Sequence, residues 1–112
     1  IILYNMQKFT SIITLTFPSD LDFDEWYNVT KDYFLKDKKV LQFLKESGMT
    51  KWTMTKTDDI EPVKAVIVME YKNRKAFDNC QKIFSKFIPN TNVRDMLIKS
   101  NIVRGNVIFD QI

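Results

Sequence analysis

The stretch Val63–Phe87, VKAVIVMEYKNRKAFDNCQKIFSKF, constrains the fold more than any other part of the chain. Its apolar run from Ala65 to Met69 is short, β-branched and bounded by charges. That is the composition of a central strand buried on both sides. An amphipathic pattern follows directly. Ala76, Phe77, Cys80, Ile83, Phe84 and Phe87 recur at helical spacing, which gathers them on one face. Asn73 stands where a helix cap belongs, and Pro89 and Asn90 end the pattern. A buried strand that feeds an amphipathic helix predicts a two-layer α/β domain.

The remaining segments fit around that unit. FTSIITLTF, Phe9 to Phe17, alternates: Phe9, Ile13, Leu15 and Phe17 share one face, and Thr10, Ile12, Thr14 and Thr16 the other. Period-2 alternation predicts a strand, which Pro18 ends. A helical stripe follows at Phe23, Trp26, Thr30, Tyr33, Phe34, Leu41 and Leu44, with Asp22 as predicted N-cap and Glu25 in capping-box position. The pattern is long for one helix, so a break is expected near Asp37, and Gly48 supplies the stop. Met49 to Thr57 alternates again, with Trp52 and Met54 opposite Lys51, Thr53 and Thr55. An acidic turn, Asp58 to Pro62, leads into the central strand. Val93 to Ser100 predicts a short helix with Val93, Met96 and Leu97 inward. Ile102 to Phe109 predicts a last strand, with Gly105 marking a bulge or a close backbone approach.

The order is strand, helix, strand, strand, helix, strand. Two split βαβ halves of this kind predict an α+β, ferredoxin-like βαββαβ domain: a four-stranded antiparallel sheet with its helices on one face. The crossover rule sets the strand order as 4-1-3-2. All 112 residues are read as one domain. Residues 1–5 are an N-terminal extension ahead of Met6, or native sequence whose beginning is missing. At 45% hydrophobic residues the chain can bury a core.

Composition narrows the function classes. The net charge is only +3, and of 17 basic residues just Arg74, Arg94 and Arg104 are arginines. That balance speaks for solubility before phosphate recognition. Cys80 is alone, so no intrachain disulfide can form, which fits a reducing compartment and a cytoplasmic location. No apolar run approaches the roughly 20 residues that span a bilayer. With no histidine and one cysteine, no metal site is expected.

One sheet face would be left open by the helices. Thr10, Ile12, Thr14, Lys51, Thr53, Thr55, Val66, Val68, Glu70, Arg104 and Asn106 are assigned to it. An apolar centre with a polar border marks an interface or a pocket. In element order and length, and in the segment Val66-Ile67-Val68-Met69-Glu70-Tyr71 running into Arg74-Lys75-Ala76-Phe77, the chain resembles the dimeric α/β-barrel superfamily, which includes small antibiotic-biosynthesis-type monooxygenases. The resemblance implies a homodimer packed sheet to sheet, with a ligand cleft between each sheet and its own helices. It also implies action on phenolic or polycyclic compounds without a metal, prosthetic group or other cofactor. Members that do acid–base chemistry commonly use a histidine, which this chain lacks.

On that reading Thr10, Ile12, Thr14, Val66 and Val68 form the dimer interface. Trp52, Tyr33 and Arg104 line a cleft for a small apolar or aromatic ligand; the simpler reading makes Tyr33 and Trp52 core aromatics. Glu70 is the candidate general base, against the simpler reading of a charge paired with Lys51 or Arg104. Cys80 reads as a core residue, with no histidine to activate it. Whether chemistry occurs stays open. The other class is a non-catalytic interaction or regulatory module whose open face takes a protein partner. An RNA-recognition motif shares the element order. Here Val66 and Val68 stand where its stacking rings belong, which argues against nucleic acid.

Overall fold

A computed structural model describes residues 7–112, so the expectation for residues 1–5 lies outside the described residues. The elements are β1 (Phe9–Phe17), α1 (Asp20–Leu35), α2 (Lys38–Glu46), β2 (Met49–Lys56), β3 (Val63–Tyr71), α3 (Arg74–Phe87), a single 3₁₀ turn (Val93–Asp95) and β4 (Lys99–Asn106). All pairings are antiparallel and the sheet order is β2-β3-β1-β4, the predicted arrangement. This is the ferredoxin-like α+β fold.

Local chemistry explains most boundaries. Ser19, not Asp22, caps α1. Its Oγ accepts from the Asp22 backbone N–H at 3.3 Å and donates to the Asp22 carboxylate at 2.6 Å. Both residues satisfy the capping grammar, and the first hydroxyl after Pro18 prevails. Asp37 breaks the long helical pattern by accepting from Lys39 N–H at 2.9 Å, so a second helix starts there. Asn73 caps α3 through Ala76 N–H at 2.8 Å. Gly48 ends α2 at φ +109°, a conformation side chains resist.

The core lies between the sheet and the helices. Phe9, Leu15 and Phe17 of β1 and Ala65, Ile67 and Met69 of β3 meet Trp26 of α1 and Phe77 of α3, while buried Phe34 of α1 packs against Trp52, Phe84 and Phe87. The other face of β3 is only half-buried, so the second cover expected for this strand is not supplied within one chain.

Three expectations are corrected. Val93–Ser100 is no helix beyond its 3₁₀ turn, and Leu97 is 79% exposed rather than inward. The last strand runs Lys99–Asn106, three residues earlier than its hydrophobic pattern suggested. Gly105 pairs in plain register with Thr10, and a Cβ there would meet nothing within 4 Å; the irregularity lies in β2, between Met49 and Lys51.

Two buried titratable groups belong to this core. Cys80 is fully buried, its thiol facing the Leu44 carbonyl at 3.7 Å, and burial pushes its pKa up. It is a packing residue. Burial holds the Tyr71 phenol far above its ordinary 10.0, and the nearby Cys80 adds to this while Arg104 opposes it. The raised value favours the protonated fold. Stability is therefore complete below about pH 10 and falls above it, by up to about 1.4 kcal/mol per pH unit. Urea unfolding at pH 8 and pH 11.5 should show that slope, and Tyr71→Phe should flatten it. The substitution should change neutral stability by less than about 1 kcal/mol, because the hydroxyl meets only Met69 Sδ, at 3.4 Å. Equal alkaline slopes in both proteins would remove Tyr71 as the cause.

Candidate functional site

The register places side chains in rows across the sheet. Trp52, Met69, Ser11 and Arg104 form one row on the helix-facing side, and Met54, Ile67, Ile13 and Ile102 form the next. Arg104 was expected on the open face. It stands opposite buried Ser11 instead, and its guanidinium lies 4.9 Å from the Phe77 ring centroid. Asn106, opposite Phe9, moves to the helix-facing side with it.

Above these rows α1 contributes Trp26, Thr30 and Phe34, and α3 contributes Gln81, Phe84 and Phe87. The helices meet through rings: Phe34 stands 5.4 Å from Phe84 and 5.1 Å from Phe87. Trp52 closes the cluster from below, edge-on to Phe34 at 4.9 Å and to Phe84 at 5.6 Å. Between rings and sheet lies an inner cavity of ≈ 280 Å³ reaching Ser100 and Arg104. That is near the lower end of ligand-pocket sizes, roughly 300–1,000 Å³. A second, outer cavity of ≈ 330 Å³ lies between α1, α2 and β2. Thr30, Phe34, Trp52 and Met54 line both.

Two polar atoms in that shared wall are buried without a partner: Thr30 Oγ1 and Trp52 Nε1. Leaving such a group unsatisfied costs about 1–3 kcal/mol. An indole N–H can only donate, so it calls for an acceptor from outside the chain. Among the described residues no carboxylate lines either cavity, and no cluster of side chains could hold a metal ion. In the inner cavity the groups on offer are an apolar slot, the Trp52 N–H, the Gln81 amide, hydroxyls, and the cation of Arg104.

The sequence-derived candidates separate accordingly. Trp52 and Arg104 share one row and one cavity. Tyr33 lines neither cavity; it packs on the outer side against Phe34 and Phe87, at 5.0 and 5.1 Å. Glu70 stands on the opposite face between Lys51 and Thr10, makes no ion pair among the described residues, and is no cleft residue. Thr30, Ser11 and Gln81 escaped notice as site residues. Thr30 carried a signal: a hydroxyl, 4% exposed, inside the apolar stripe of α1. Ser11 carried the same one in β1.

The open face is as mixed as its composition suggested. Its central row is Thr53, Val68, Ile12 and Val103; the next is Thr55, Val66, Thr14 and Asn101. Ile12 is 39% and Val103 60% exposed.

A fold of this kind with a cavity between sheet and helices defines a class rather than a protein. No protein-family model matches the chain, and neither does any curated protein. Solved structures do match. A dimeric ferredoxin-like protein from an uncultured marine organism superposes with a TM-score of 0.80 at 18% identity, covering 94% of this chain and 98% of that one. A candidate antibiotic biosynthesis monooxygenase from Nitrosomonas europaea gives 0.67 at 16% identity, covering 92% of each. SnoaB, a cofactor-independent oxygenase from Streptomyces nogalater, gives 0.63 at 14% identity, covering 93% and 96%. The resemblance to dimeric ferredoxin-like and antibiotic-biosynthesis-monooxygenase-like proteins is thus one of structure. Among the described residues no helix is long and apolar enough to cross a membrane.

Proposed function

We propose that the protein is a cytoplasmic homodimer that binds a small, largely apolar, planar molecule in the inner cavity without a prosthetic group. The carrying observation is the unpartnered Trp52 Nε1, set among aromatic and aliphatic side chains. A ring slot with one buried donor fits a flat ligand that offers an oxygen. Arg104 at the β4 end of the cavity suits a carboxylate or phenolate on the same ligand. The dimeric state of the marine protein and the cofactor-independent chemistry of SnoaB, both of similar fold, support this direction.

The enzymatic form of the reading is oxygenation by dioxygen: one oxygen atom enters the ligand, the other leaves as water, and the ligand supplies the electrons. With no histidine in the chain and no acid lining the cavity, such a ligand must be acidic enough to lose its own proton. Electron-poor hydroquinones, whose ring hydroxyls are more acidic than that of a simple phenol, meet that requirement when Arg104 stabilises the phenolate.

The test is a thermal-shift and tryptophan-fluorescence screen of hydroxylated aromatic acids, quinones and hydroquinones. At a hundred times its Kd a true ligand stabilises by about 2.7 kcal/mol. Trp52→Phe keeps the ring and removes only the donor. It should weaken binding about five- to tenfold, as the loss of one buried hydrogen bond does. A screen with no stabilising compound, or a ligand indifferent to Trp52→Phe, would remove the reading.

A further inference from the structure

Among the described residues four side-chain polar atoms are buried without a partner. Two belong to Thr57 and Asn106, which line neither cavity; the others belong to Trp52 and Thr30, which line the inner one. In the middle of a helix a threonine hydroxyl ordinarily faces water or bonds a carbonyl one turn back. Thr30 does neither: the residue is 4% exposed and its Oγ1 has no partner. Trp26, Thr30 and Phe34 follow at four-residue steps, which sets them on one face of α1. All three line the inner cavity, so Thr30 is the polar member of an otherwise aromatic wall.

The neighbouring groups define what this hydroxyl can do. The Trp52 N–H and the Arg104 guanidinium only donate, and no carboxylate lines the cavity. A ligand hydroxyl therefore meets few side-chain acceptors: the Gln81 amide oxygen and the hydroxyls of Ser11, Ser100 and Thr30. Of these, Thr30 Oγ1 is the one both buried and unpartnered. We propose that Thr30 is a specificity-determining residue of the inner cavity. Its Oγ1 accepts a hydrogen bond from a neutral ring hydroxyl of the ligand and so selects hydroxylated rings over alkylated or unsubstituted ones. The proton is held there, not removed. This role rests on the inner-cavity reading and gives it a second anchor: Trp52 reads an oxygen, Thr30 a hydroxyl proton.

Methyl 4-hydroxybenzoate, methyl 4-methoxybenzoate and methyl benzoate share a flat ring and an ester carbonyl, and only the first carries a hydroxyl proton. Titrated calorimetrically into the full chain at about pH 6, where all three are neutral, the first should bind about five- to tenfold more tightly than the other two. Thr30→Val keeps the shape and removes the hydroxyl, so it should erase the preference; Thr30→Ser should restore it. Trp52→Phe should weaken all three probes and leave the preference in place. Without ligand, Thr30→Val should raise the urea midpoint, because it removes a buried group that has no partner. A lower midpoint would mean that the hydroxyl is bonded within the chain, and overturns the proposal. Equal binding of the three probes by the wild-type protein overturns it with no variant needed. A preference that survives Thr30→Val and disappears in Trp52→Phe also overturns it, and leaves the inner-cavity reading standing with Trp52 as its anchor. If none of the three binds, the Thr30 role falls, while the wider screen and its Trp52→Phe arm still decide the inner-cavity reading.

Discussion

Gly48→Ala is expected to destabilise the protein by about 2–5 kcal/mol, a large part of the 5–15 kcal/mol typical of a domain. Two independent costs meet at this residue. Its φ of +109° lies where L side chains are strained, a cost of about 1–3 kcal/mol. An added Cβ would also stand 2.5 Å from Ala76 Cβ, which is fixed in the first turn of α3 and has no rotamer with which to retreat. Forced overpacking of this sort costs about 1–3 kcal/mol more. Backbone relief is hindered too, because Lys72 N–H donates to the Gly48 carbonyl at 2.9 Å and ties the end of α2 to the end of β3. Urea unfolding would show the loss as a lower midpoint at constant slope. Gly105→Ala is the control. With open space around its Cβ it should be neutral or stabilise by up to about 1 kcal/mol. A Gly48→Ala cost below about 1 kcal/mol would mean that α2 and α3 are not locked at this point.

The second large effect concerns the open face. If the sheet is covered by a second copy, as proposed, Ile12 and Val68 lie side by side at its centre. Ile12→Asp/Val68→Asp would then place four carboxylates in an apolar interface. An unpaired buried charge costs about 3–5 kcal/mol, so association should weaken until the dimer is lost at micromolar concentration. Light scattering across a dilution series reads the outcome, with circular dichroism to confirm an intact fold. In the monomer both positions sit at a surface, so the variant should still fold. A wild-type protein that is monomeric throughout would end the homodimer proposal. It would favour the other reading, in which a different protein covers Ile12, Val66, Val68 and Val103. A dimer unaffected by the double substitution would place the interface elsewhere.

The amino-acid order alone determined whatever depends on neighbours in the chain. The alternation of β1, the apolar run of β3, the Asp37 break, the Asn73 cap and the Gly48 stop are all set within a few residues, and all were legible. The fold class followed, because few topologies accommodate that element order. The candidate site was legible only in part. The face of Trp52 was legible because a large ring on an alternating strand declares it. Arg104 was assigned to the wrong face because β4 is an edge strand. Ile102 is 46% and Val103 60% exposed, so neither side of its alternation is a core side, and hydrophobicity cannot set the register. Pairing with β1 sets it. Tyr33 and Phe34 are adjacent on α1, and only the packing of α3 decides that Phe34 faces the cavity while Tyr33 lies outside. The cavities themselves and the Thr30 and Trp52 groups left without partners are products of tertiary packing. They join residues far apart in the chain, and no local pattern encodes that distance.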